Sequence, residues 1–105
     1  MKRLAFYCDQ DGREPFAVWL SKLGDKSAKA RIKARLEQLQ AGNPGDIRAV
    51  GGGVMEMRIH LGPGYRVYFA PHGDSIVLLL CAGTKGTQQA DIRRARALWM
   101  ERTRR

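Results

Sequence analysis

Metal-binding side chains are scarce in this chain of 105 residues, which has two cysteines and two histidines. Cys8 and Cys81 stand far apart with no C-x-x-C spacing, and His60 and His72 form no cluster with them, so neither a metal nor any other cofactor is expected. Both cysteines lie in strand-like apolar runs, where a free thiol behaves as a small hydrophobe. Long apolar runs are absent as well. The longest, IVLLLCA at residues 76–82, is strand-sized and far short of the ~20 residues that a membrane span requires. The opening MKRLAFYCDQDG starts like a signal peptide but turns acidic before an apolar centre develops, which points to the cytoplasm and away from a membrane. Acids are the third scarcity: 10 Asp and Glu face 19 Lys and Arg, a formal charge of +9. A field of that size favours a phosphate polymer, an anionic membrane or an acidic protein, without choosing among them. The length leaves room for one domain, residues 1–105, burying about two thirds of its unfolded surface.

What is present reads first as a short strand at residues 4–8, a polar turn (DQDG) at 9–12, and two helices. Glu14 and Pro15 open the first helix, because proline at the first helical position forfeits no needed hydrogen bond and a carboxylate there suits the helix dipole. Phe16, Trp19, Leu20 and Leu23 give it one apolar stripe, and Gly24 ends it. Asp25 caps the second helix, Ala28, Ile32, Leu36 and Leu39 form its buried stripe, and Gly42 stops it. Its outer face holds Lys26, Lys29, Arg31, Lys33 and Arg35 against the single late acid Glu37. A solvated helix face and a surface for a polyanion both fit that run; helix-stabilising ion pairs do not, for want of acids. A short strand at 47–50 follows, and the three glycines at 51–53 read as a flexible lead into more strands. They are not a phosphate loop, which requires Gly-Lys-Ser/Thr and a helix next. Thr87 starts a last helix, with Ile92, Ala95 and Trp99 on its apolar side and Arg93, Arg94, Arg96, Arg102, Arg104 and Arg105 around the rest. Trp19 and Trp99 sit on apolar stripes and are expected in the core.

Residues 54–85, VMEMRIHLGPGYRVYFAPHGDSIVLLLCAGTK, carry fold and chemistry together. Glu56, Arg58, His60, Arg66 and Tyr68 recur at every second position among apolar residues, as a half-buried strand requires. A three-residue loop at 62–64 sets His60 opposite Arg66 and Arg58 opposite Tyr68, with all the polar residues on one face. A two-residue loop would slip the register by one and set Arg58 opposite apolar Val67. A four-residue turn at 71–74 (PHGD) then leads to residues 76–81, whose unbroken apolar run marks a central strand covered on both sides. Lys85 emerges from its end. The fold class is α+β: a small antiparallel sheet packed by two N-terminal helices and a C-terminal helix.

That order of elements, with EPFAVWLSKL, KARIKARLEQLQAGNPGD, VMEMRIHLGPGYRVYF and IVLLLCAGTKGTQQADIRRA, resembles the RelE/ParE/HigB superfamily of type II toxins. The similarity is closest to its phage-related addiction-module killer proteins. The motifs E-x-R-I-H, G-P-G-Y-R-V-Y and L-L-L-C-x-G-x-K-x-T-Q are specific in combination. The resemblance implies a RelE-like fold and a ribosome-dependent mRNA interferase, restrained by a cognate antitoxin that is a helix-turn-helix DNA-binding protein. Operator DNA would be reached only through that antitoxin. It also implies Arg58, Arg66 and Lys85 as active-site cations, since they fall on the family's Arg, Arg and Lys positions.

The chemistry fits that placement. Attack by a ribose 2′-OH requires a base, charge neutralisation at the phosphate and a proton for the leaving oxygen. Arg58 and Arg66 suit phosphate clamping. Lys85 suits a further clamp or the proton donor. Glu56 or His60 suits the base, an imidazole ordinarily titrating near neutrality. Tyr68 offers a ring for base stacking, and Lys29, Lys33, Arg93 and Arg94 offer phosphate contacts. His60 equally suits a plain surface position, and Glu56 an ion pair with Arg58 or Lys85. Several family branches carry Tyr or an Asp-Tyr-His cluster near the C-terminus, whereas no Tyr or His follows Lys85 here. A ParE-like non-nuclease that inhibits DNA gyrase, and a degenerate member that binds RNA or antitoxin without cutting, therefore stay open.

Overall fold

The computed structural model describes residues 1–104; Arg105 lies outside them. The elements are β1 (Arg3–Phe6), α1 (Pro15–Lys22), α2 (Lys26–Gln40), β2 (Ile47–Gly51), β3 (Val54–Ile59), β4 (Tyr65–His72), β5 (Ile76–Thr84), a 3₁₀ turn (Lys85–Thr87) and α3 (Gln88–Arg104). They form an α+β architecture around one five-stranded sheet of order β1-β5-β4-β3-β2. Strands β2 to β5 make an antiparallel meander, but β1 pairs parallel to β5, so the sheet is mixed rather than purely antiparallel. No helix among the described residues is long and apolar enough to cross a membrane.

Local chemistry accounts for the helices. Pro15 begins α1 as expected, and the helix stops when Leu23 turns extended, one residue before Gly24. The Asp25 side chain accepts from the Ala28 amide at 3.0 Å, capping α2. At the other end the amides of Gly42 and Asn43 donate to the carbonyls of Leu39 and Gln38, closing the last turn. All four residues of the predicted stripe, Ala28, Ile32, Leu36 and Leu39, are buried.

The sheet has a core on each face. On one side Met57, Ile59, Tyr65, Val67 and Leu79 meet Phe16 of α1 and Ile32 of α2. On the other, Val54, Tyr68, Leu80 and Cys81 meet Ala95 of α3, with Ile92 and Trp99 packed alongside. The two tryptophans therefore belong to the packing, as expected. Strand β5 serves both cores by alternation, Val77 and Leu79 on one face and Leu78 on the other, and a bulge interrupts that alternation opposite Tyr68/Phe69: Cys81 pairs with Tyr68, but Leu79 pairs with Phe69. Leu80 is the extra residue, and Leu80 and Cys81 both face α3.

Four expectations need correction. The β3–β4 hairpin pairs Ile59 with Tyr65 and Arg58 with Arg66, so the loop spans residues 60–64 and the register differs by two residues from the three-residue solution. The faces are unchanged, because a shift of two preserves side-chain parity. Strand β4 runs on through Pro71 to His72, whose ring meets Trp99 edge-on at 5.8 Å. The triple glycine is not a loose lead: Gly51 pairs with Val54, and Gly52 and Gly53 take φ of 65° and 86°, the double positive φ of a two-residue hairpin turn. Added Cβ atoms would lie 2.7 Å from Arg96 at Gly51 and 2.9 Å from Trp99 at Gly53, so α3 packs directly on that turn. Lastly, Cys8 is exposed, since β1 ends at Phe6, whereas Cys81 is buried and its thiol is pushed up to about 12 by burial.

Candidate active site

Antiparallel pairing sets Arg58 of β3 beside Arg66 of β4, and Arg66 beside Gly83 of β5. Two residues past Gly83 the chain leaves the sheet, and the Lys85 amide donates to the Gly64 carbonyl at 2.8 Å. The same carbonyl accepts from Arg66 Nη1 at 3.1 Å. One carbonyl oxygen thus fixes the Arg66 side chain and the Lys85 backbone together. Gly64 holds a φ of 80°, the left-handed region that favours glycine, and packs in ordinary contact with Arg66 and Lys85. The result is a cleft of about 260 Å³ lined by Arg58, His60, Tyr65, Arg66 and Lys85. The three cations and the imidazole singled out in the sequence are brought together.

Asp46 completes the constellation, and sequence reasoning missed it. It precedes β2, and the β2–β3 register, in which Ile47 faces Met57, brings it beside Arg58. The Arg58 amide donates to the Asp46 carbonyl at 2.9 Å. Asp46 Oδ1 accepts from Arg58 Nη2 at 2.9 Å and Nε at 3.3 Å, while Oδ2 lies 2.6 Å from His60 Nε2. The hydrogen bond from Arg58, and after it the one from His60, hold the Asp46 carboxyl below its usual range. The same bond to Asp46 raises Arg58 above its own. His60 is 72 % exposed at its side chain, so its ring is held at Nε2 and open elsewhere. With Nε2 turned to a carboxylate, the imidazole presents Nδ1 as its available nitrogen. The only sequence signal for Asp46 was the GNPGD turn ahead of β2, which gives no hint of its partner.

Glu56 and Tyr68 have a different environment from the one expected of them. Glu56 is 0 % exposed. Its Oε1 accepts from Arg48 Nε at 2.8 Å, and its Oε2 accepts from the Tyr68 hydroxyl at 2.9 Å and from Gln88 Nε2 at 3.0 Å. Burial works to raise the Glu56 pKa, but the hydrogen bonds from Arg48, Gln88 and Tyr68 outweigh it and hold the carboxyl below its ordinary value. A stabilised anion enclosed beneath α3 and holding three hydrogen bonds is poorly placed to take up a proton from a substrate. Tyr68 is also 0 % exposed, so its ring has no face open to a nucleotide base. Burial first, then the bond to Glu56, push its hydroxyl pKa up. Behind the cleft, Arg66 Nε lies 3.7 Å from Glu56 Oε2, within ion-pair range though without a hydrogen bond.

The remaining cations divide between structure and surface. Arg35 donates to the carbonyls of Arg58 and Pro44, and Arg96 donates to that of Val50, so both are tied to backbone. Lys29 and Lys33 line a shallow groove with Phe6 and Leu20, Arg93 is exposed on α3, and Arg94 lines another cleft. None of these four lines the Arg58–Arg66–Lys85 cleft. Among the described residues no group of three or more His, Cys, Asp or Glu gathers closely enough to hold a metal ion.

Comparison with known proteins relates the chain to a family and to a bacterial relative. The family described as phage derived protein Gp49-like (DUF891) matches residues 18–99, which span every cleft residue named above. An uncharacterized protein of Haemophilus influenzae is 50% identical over 86 residues, covering 82% of this chain and 87% of that protein.

Proposed function

The chain belongs to the phage-derived Gp49-like family, and from that membership we propose that it is the toxin of a type II toxin–antitoxin module and cleaves messenger RNA. The observation that carries this reading is one cleft in which Arg58, Arg66 and Lys85 surround an imidazole paired to a carboxylate. In the proposed reaction His60 Nδ1 takes the proton of a ribose 2′-OH. The 2′-oxygen attacks the adjacent phosphorus, and the bond from phosphorus to the 5′-oxygen breaks. Arg58 and Arg66 neutralise the charge that builds on the non-bridging oxygens. Lys85 gives a proton to the departing 5′-oxygen; among the described residues its ammonium has no hydrogen-bond or ion-pair partner to compete for it. The products are a 2′,3′-cyclic phosphate and a 5′-hydroxyl, and solvent returns the two side chains to their starting states. Asp46 orients the ring and stabilises the imidazolium.

A RelE-like fold, ribosome-bound mRNA as substrate and an acidic antitoxin partner accompany this reading. The test is the double substitution Arg66→Ala with Lys85→Ala. Induced in cells, it is expected to abolish growth arrest and the new mRNA 5′ ends produced by the wild type, while the circular dichroism of the purified protein is unchanged. Persistent arrest with DNA breaks and uncut messages would instead identify a gyrase inhibitor.

A further inference from the structure

A second cleft, of about 340 Å³, is lined by Asp9, Arg13, Pro15, Val18, Trp19 and Arg94. It adjoins the first through aromatic rings. Trp19 lines it and meets Tyr65 edge-on at 6.0 Å, and Tyr65 lines the cation cleft. Phe16 stacks against Trp19 at 6.2 Å, so the indole is held on one side by the core and available to the cleft on another.

The arginines here differ from those that anchor the fold. Arg35, Arg48, Arg58, Arg66 and Arg96 are all committed to protein acceptors. The Arg13 and Arg94 guanidinium groups have no hydrogen-bond or ion-pair partner among the described residues. They come from separate parts of the chain, the β1–α1 connection and α3, yet line one cavity. Its one acid, Asp9, forms no ion pair with either. Asp9 Oδ1 accepts the backbone amides of Asp11 and Arg13 at 2.9 and 2.8 Å, which commits it to its own turn.

Two uncommitted cations beside a fixed aromatic ring are the components with which single-stranded nucleic acid is held: phosphate on the cations, base on the ring. We propose that this cleft is a second nucleotide subsite. A nucleotide flanking the scissile phosphate places its base against Trp19 and its phosphate between Arg13 and Arg94. The proposal rests on the first cleft being an RNA site, and it makes Trp19 a binding residue as well as a core residue.

Binding is measured by fluorescence anisotropy with a labelled RNA hexamer 2′-O-methylated throughout, which cannot be cleaved by 2′-OH attack. Arg13→Ala with Arg94→Ala is expected to weaken binding about tenfold. The slope of log affinity against log salt should fall by about 0.7 for each phosphate no longer neutralised. Lys29→Ala with Lys33→Ala removes the same charge from a groove away from both clefts and should have a clearly smaller effect; an equal effect would reduce the result to general electrostatics and overturn the subsite. Trp19→Phe, which keeps an aromatic ring for the core, should weaken binding severalfold with little change in salt slope. Wild-type affinity in the Arg13/Arg94 variant, with affinity abolished in the Arg66/Lys85 variant, sinks the subsite and leaves the first cleft standing. The reverse pattern sinks the first-cleft reading and with it the flanking role, and a wild type that does not bind the hexamer sinks both.

Discussion

Glu56–Tyr68 and Arg58–Arg66 are neighbouring cross-strand pairs on the same face of the same hairpin, yet one is sealed and the other is partly exposed and lines a cleft. Helix α3 makes the difference. Its first residue, Gln88, reaches Glu56, and Ala95 packs in the core beside Tyr68, so the inner pair is enclosed. The outer pair lies toward the end of β5, where the 3₁₀ turn at Lys85 begins before α3 does. A carboxylate and a phenol that look like chemistry in the sequence become scaffold once covered. Two arginines one pair along keep part of their side chains accessible and line a cleft. Polar residue type is thus a weak guide to role on its own, because desolvation and satisfied hydrogen bonds decide which groups can still act.

The largest test of this contrast is Glu56→Ala. It leaves the buried Tyr68 hydroxyl without its acceptor and the mostly buried Arg66 without its carboxylate, while Arg48, 47% exposed, can turn to solvent, and is expected to lower stability by about 2 kcal/mol in denaturant unfolding. Arg58→Ala, in the open half, should leave the unfolding midpoint near the wild-type value and instead remove cleavage. An Arg58→Ala protein that unfolds as readily as Glu56→Ala would erase the distinction. The buried half also predicts a pH effect. The folded pKa of Glu56 lies below its ordinary 4.5, so its contribution is complete above that value and is lost as the pH falls through the depressed folded pKa. Glu56→Gln should therefore flatten the acid limb of the stability curve.

In the open half, Asp46→Asn removes the anion that orients His60 and anchors Arg58, at an expected cost of about tenfold to a hundredfold in RNA cleavage, by analogy with other residues that orient a reactive imidazole. The pH–rate profile should move with it, since the Asp46 carboxyl, held below its usual range by Arg58 and then His60, is charged wherever an imidazole acts as a base. A rate and profile identical to wild type would remove His60 from the mechanism. The smallest effect belongs to Tyr68→Phe, which deletes one buried hydrogen bond and should cost about 1 kcal/mol of stability with RNA binding unchanged. A loss of RNA binding there would return Tyr68 to the site.

Much of this is legible in the amino-acid sequence. The start of α1, the Asp25 cap, the α2 stripe and the double-sided burial of β5 follow from local rules that operate within a few residues. The hairpin register is half legible. Alternating polarity excludes a slip of one residue because that turns side chains over, but a slip of two changes every partner while leaving both faces intact. Arg58 is accordingly expected opposite Tyr68 and stands opposite Arg66. The burial of Glu56 and Tyr68 is hidden because it depends on where a distant helix lies. Asp46 is hidden because an antiparallel neighbour, not a sequence neighbour, gives it meaning. Cys8 reads as buried only while the strand is taken to reach it, and the strand stops two residues before.

The parallel pairing of β1 with β5 also bears on how the protein comes into being. Arg3 through Phe6 bond to Ile76 through Leu79, so the first strand synthesised must wait for the last. Contacts so distant in sequence carry a high loop-closure cost and make folding slow relative to local structure. Lys85 follows the waited-for strand almost immediately. On the translating ribosome, then, the sheet closes and the third cation arrives in the same late stretch of synthesis, and an incomplete chain carries neither a finished fold nor a finished cleft.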